Sequence, residues 1–109
     1  MMRILGKEGF QAAYEDKDGG FANPNVLKAF QLYKELAALE PFQKGYLSNT
    51  YPEGSGVFHD GQAAFHLMGP WDLVEGRRNA ADKKGLPNEK IGWFFFPEVK
   101  DGKGKANDM

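Results

Sequence analysis

The stretch Gln62-Ala63-Ala64-Phe65-His66-Leu67-Met68-Gly69-Pro70-Trp71-Asp72-Leu73 constrains what this chain can fold into more than any other. Ala63 to Met68 contains one strongly polar residue, and a short apolar run bounded by turn residues reads as a strand covered on both faces. Gly69 and Pro70 end it. Proline's fixed φ suits the first position of a helix, glycine is an acceptable cap before it, and Asp72 in the first turn favours the positive end of the helix dipole. The pattern therefore predicts a strand, a two-residue corner and a helix running to about Asp82, with Gly76 weakening its middle. In an open α/β sheet, ligands settle at such corners, beside the unpaired amides of the helix start. Trp71 is expected to stand there.

The clearest helix begins at Asn23-Pro24, a capping residue followed by proline at the first helical position. Val26, Ala29, Phe30, Tyr33, Leu36 and Ala37 recur at three and four residues, which predicts an amphipathic helix packed on a core and ending near Leu39, before Pro41. Upstream, Gly6 to Tyr14 suits a helical turn or two. Phe42 to Gly56 reads as an irregular connection carrying Tyr46 and Tyr51, and Ser55 to Asp60 as a short helix closed by Gly61. Lys83 to Asn88 is a solvated basic turn. Ile91 to Phe96 is read as a second buried strand, with Ile91, Trp93 and Phe95 on one face and Phe94 and Phe96 on the other; Asp101-Gly102 is a turn signal. The expected fold class is thus α/β, with about two buried strands and three to four helices.

Composition removes several functions. Lys and Arg total 14 against 15 for Asp and Glu, so no net field recruits nucleic acid or an anionic membrane. With no cysteine, disulfide scaffolds and thiolate metal sites are excluded. His59, Asp60 and His66 form the one metal-like grouping, but adjacent residues diverge on a helix and His66 lies on the following segment, so no metal is expected. His66 is read as a hydrogen-bonded core or hinge-face histidine. No cofactor is expected. No run approaches the ~20 apolar residues needed to cross a bilayer, and Met1 to Gly6 lacks the core of a signal peptide.

The order of a long amphipathic helix, a short segment ending in Phe58-His59-Asp60-Gly61-Gln62-Ala63-Ala64, a strand, Gly69-Pro70-Trp71, a helix and then Ile91-Gly92-Trp93-Phe94-Phe95-Phe96-Pro97 resembles the maltose-binding-protein-like extracellular solute-binding proteins of carbohydrate ABC importers. The likeness runs from about Phe21 to Lys105, and members of that family are several times longer. It implies that residues 1–109 form a single partial domain: an internal piece of the receptor, from its C-terminal lobe with a hinge-crossing strand at Ile91 to Phe96. It also implies a periplasmic or extracellular location, lipid-tethered or free, an export signal upstream, and ABC permease subunits as partners. Two strands this apolar need neighbours on both edges, so the isolated piece is expected to self-associate.

A site for a neutral sugar needs an aromatic plate for its C–H face and polar groups for its hydroxyls, because a buried unpaired polar group costs roughly 1–3 kcal/mol. Trp71 can supply the plate, on the order of 100 Å² of apolar surface, and Asp72 and the first amides of its helix the polar partners. Gly69, Pro70 and Trp71 match the family motif, whose tryptophan lies in the sugar site of its best-known member; Asp72 does not match, and its ligand role comes from its place in the sequence alone. The candidate ligand-binding set is therefore Trp71, Gly69, Pro70 and Asp72, with no catalytic residue. Two alternatives stay open: a fragment of a carbohydrate-active enzyme and a self-contained protein-interaction domain. Glycoside cleavage needs two carboxylates flanking one bond, and Asp60 and Asp72 are expected at opposite ends of the first strand, on the order of 20 Å apart.

Overall fold

The computed structural model describes residues 1–108, which divide into two compact units: Met1–Pro41 with the segment from Phe94 onward, and Phe42–Trp93. In the first, helix α1 spans Met2–Tyr14 with a kink at Gly6, and helix α2 spans Pro24–Ala38. The Asn23 side chain accepts from the Asn25 amide at 2.9 Å, and Pro24 follows at the first helical position, so this start matches the sequence signal. Ile4, Leu5 and Ala13 of α1 meet Val26 of α2, with Ala29, Leu32 and Val99 packed around them. The 3₁₀ turn Gly20–Ala22 leads into α2. Phe30 and Tyr33, expected in the core, stand 56% and 63% exposed, so the apolar arc of α2 is wider than the single neighbour it packs on.

The first unit is closed by its last segment. Lys103 N–H donates to the Ile4 carbonyl and Gly104 N–H to that of Arg3, at 3.1 and 3.2 Å. The Arg3 guanidinium donates to the carbonyls of Phe96 (3.0 Å), Ala106 (2.7 Å), Asp108 (3.3 Å) and Lys105. The Asp101-Gly102 turn forms as expected, Gly102 N–H reaching the Val99 carbonyl at 2.9 Å.

In the second unit, helix α3 spans Tyr51–His59, about one turn earlier than the Ser55 start expected from sequence. The cause is Thr50, whose N–H and hydroxyl donate to the Glu53 carboxylate at 2.6 and 2.9 Å, with Pro52 in the first turn. Gly61 follows its end at φ 73°, the left-handed residue the sequence called for. Beyond α3 the chain makes 3₁₀ turns at Pro70–Leu73, Gly76–Asn79 and Asn88–Lys90, after an earlier one at Tyr46–Ser48.

The expected α/β class is wrong for this structure. Among the described residues there are three α-helices and no strand or sheet. Among the described residues neither Ala63 to Met68 nor Ile91 to Phe96 forms a strand, and Phe65 and Leu67 are 77% and 78% exposed. The physical reason is that Ala-Ala-Phe-His-Leu-Met contains no β-branched residue, and two short apolar runs without further strands cannot pair their backbone groups on both edges. The helix expected after Pro70 is also absent. Two separate 3₁₀ turns replace it, because the Asp72 side chain is drawn onto α3 and Gly76 passes close against it: a Cβ there would lie 2.4 Å from both Asp72 Oδ1 and Ser55 Oγ.

Large apolar side chains are left exposed in both units, among them Leu27 and Tyr33 of α2 and Phe65, Leu67 and Trp71 beyond α3. Among the described residues no helix is long and apolar enough to cross a membrane.

Candidate functional site at the Pro70–Leu73 turn

The turn that carries Trp71 is held from α3. Ser55 and His59 lie four apart on that helix and so share a face. Both are buried, and both reach Asp72, itself 6% exposed. Ser55 Oγ donates to Asp72 Oδ1 at 2.6 Å. His59 Nε2 lies 3.0 Å from the Asp72 carbonyl and 3.1 Å from Oδ2, and His66 Nδ1 lies 3.2 Å from the same Oδ2. Carbonyl and carboxylate oxygens only accept, so both of these ring nitrogens carry the proton. Asp72 thus accepts from three donors on its carboxylate, Ser55, His59 and His66, and the single His59 N–H is shared with its backbone carbonyl. Phe58 stacks at a tilt on His66 and edge-on against His59, closing the apolar side.

Burial by itself pushes the Asp72 carboxyl up. The Ser55 hydroxyl, the positive charge available on His66, and the hydrogen bonds from His66 and His59 outweigh it and hold the group below its ordinary value. The ionised form is the one this cage was built to keep. His59 Nδ1 and Arg77 Nε are buried without a hydrogen-bond partner, and Gly85 passes close to both residues: a Cβ there would lie 3.0 Å from His59 Nδ1 and from Arg77 Cγ.

Trp71, one residue before the caged carboxylate, faces the other way and is 56% exposed. Its six-membered ring lies over Gly69, where a Cβ would come within 2.1 Å of Cζ3 and 2.2 Å of Cη2. Gly69 is therefore the seat of the indole, and Pro70 opens the turn that lifts it. Of the four residues named from sequence, Gly69, Pro70 and Trp71 form one outward-facing corner. Asp72 sits beneath it with both carboxylate oxygens engaged.

The sequence places Ser55 at the start of a short helix and His59 in a diverging pair with Asp60, and neither reading points to this cluster. The available signal was two polar residues at i and i+4 on a helix that otherwise offers few apolar side chains to bury. His66 is hydrogen-bonded as expected, though on Asp72 rather than within a strand. Asp60 goes elsewhere, its Oδ1 accepting from the Ala81 amide at 2.8 Å.

Serine, histidine and aspartate together invite comparison with a hydrolytic triad, but the connectivity differs. A triad needs the serine hydroxyl on a histidine nitrogen; here the Ser55 proton is aimed at the carboxylate and the hydroxyl is fully buried. Among the described residues, no group of three His, Cys, Asp or Glu is arranged to hold a metal ion. Comparison of the chain with protein-family models and with curated proteins finds no match.

Proposed function

We propose that this chain is part of the sugar-capturing component of a carbohydrate ABC importer, a periplasmic or extracellular receptor that delivers a sugar or oligosaccharide to membrane permease subunits, and that Trp71 is the plate on which the sugar ring lies. The observation that carries this is the indole's pose: a large aromatic seated on a glycine, outward at a proline-initiated turn, with the next residue anchored in the interior. An aromatic plugging a corner would be covered; this one offers more than half its surface. The resemblance carried by Gly69-Pro70-Trp71 supports the same reading, although the strand before it and the helix after it do not form here. Asp72 serves from beneath, its hydrogen-bonding capacity directed inward. Binding without catalysis fits the Ser55–Asp72 connectivity.

The apolar side chains left exposed on α2, Leu27, Phe30 and Tyr33, fit a piece that packs against further polypeptide of a larger receptor. On its own the chain then covers them by self-association, and sedimentation at micromolar concentration showing a compact monomer would count against that. The direct test of the platform is calorimetry with a panel of neutral mono- and oligosaccharides on the receptor that contains this segment. Trp71→Ala is expected to weaken affinity about tenfold or more while leaving the melting temperature nearly unchanged. Equal affinity in the two proteins removes Trp71 from the site.

A further inference from the structure

We infer that Ser55 and His59 are positioning residues for the indole of Trp71, acting through the Asp72 side chain to keep the ring over Gly69. This rests on the reading of Trp71 as the sugar platform, and it says what keeps that platform ready before any sugar arrives.

The turn cannot hold the ring by itself. Pro70–Leu73 is four residues long, and its backbone bonds are few: Asp72 N–H to the Gly69 carbonyl at 3.1 Å, and the Val74 and Glu75 N–H groups sharing the Trp71 carbonyl at 3.0 and 2.9 Å. Short 3₁₀ segments have poorer hydrogen-bond geometry than α-helix and little cooperativity. Trp71 and Asp72 are adjacent, so any rocking of the turn that swings the indole off Gly69 must also swing the Asp72 carboxylate. That carboxylate is fixed by Ser55 at 2.6 Å, by His59 at 3.1 Å and by His66 at 3.2 Å, and the Asp72 carbonyl by His59 at 3.0 Å. Ser55 and His59 belong to α3, which is capped independently by Thr50 and Glu53. The order of a regular helix is thereby passed to a short turn.

Two empty Cβ positions complete the device. Gly76 lets Ser55 and Asp72 approach, and Gly69 lets the ring lie flat on the backbone. Preorganisation of this kind removes the ordering that a mobile aromatic would undergo on binding.

The chain has two tryptophans, so Trp93→Phe leaves Trp71 as the sole indole emitter. In that background, Ser55→Ala and His59→Ala are expected to lower the fluorescence anisotropy of Trp71 and raise its quenching by acrylamide, with far-ultraviolet circular dichroism unchanged. His59→Gln, whose amide N–H can donate toward Asp72 as the ring does, is expected to recover most of the anisotropy that His59→Ala loses. Parent values of anisotropy and quenching in either alanine variant that retains its helix overturn the inference. Loss of helix in both overturns it too, by making the cluster a requirement of the fold rather than a holder of the ring. No sugar is needed for the readout. A failure of Trp71 to bind sugar is therefore seen in calorimetry alone and is distinguishable from a failure of the clamp.

Discussion

The two units of this chain are held together by opposite kinds of chemistry. Around α1 and α2 the interior is aliphatic: Ile4, Leu5, Ala13 and Val26, with Ala29, Leu32 and Val99 against them. Around α3 the buried side chains are Ser55, His59 and Asp72, and the one buried apolar side chain described there is Ala80. Apolar contact is non-directional and tolerates drift, whereas a cage of short hydrogen bonds fixes atoms in place. The unit that carries the candidate ligand residue is the one built on direction.

That contrast can be broken by substitution. Asp72→Ala leaves the Ser55 hydroxyl buried without its acceptor and the His59 ring N–H with only the backbone carbonyl of residue 72, and should cost about 3 kcal/mol. The loss should appear as faster amide hydrogen exchange in α3, with α2 protected as before; equal acceleration in both helices would mean that the two units share one core. Leu5→Ala should do the reverse, costing about 2 kcal/mol through lost transfer energy and the cavity left behind. Its exchange signature should lie in α1 and α2, with the emission of Trp71 unaltered.

Acid sharpens the comparison with a smaller effect. Asp72 is depressed in the folded state, so its contribution is fully present above the ordinary carboxylate value of about 3.9 and is lost as pH falls through the lower folded value. Stability of α3 measured by exchange or circular dichroism should therefore decline below about pH 4, ahead of α2. Glu53 and Asp82, also in this unit and lowered by hydrogen bonds from Thr50 and from the Gly85 and Lys84 amides, shift in the same direction. An α3 signal flat with pH down to full protonation would show that the Ser55 and His bonds survive on the neutral acid.

Local signals were legible where one residue's own chemistry decides the backbone. Asn23-Pro24 started a helix, Gly61 followed one in left-handed geometry, and Asp101-Gly102 turned. The two expected strands failed because an apolar run says that a segment seeks cover, while a sheet also needs an edge to pair with, and six residues carry no information about a partner elsewhere. Of the site, the Gly69-Pro70-Trp71 corner could be read directly. The cage beneath it could not: Ser55 and Asp72 are 17 residues apart, His59 and Asp72 are 13 apart, and no periodic pattern joins them.

Arg3 reaches carbonyls 93 to 105 residues further along the chain. Closure of that unit therefore waits until residues near Asp108 have been synthesised, whereas the hydrogen bonds of Ser55, His59 and His66 to Asp72 all lie within residues 55–72, and the polar unit itself ends at Trp93. During synthesis the polar unit can thus be complete while its host is still unfinished, and the order of assembly is written into the connectivity.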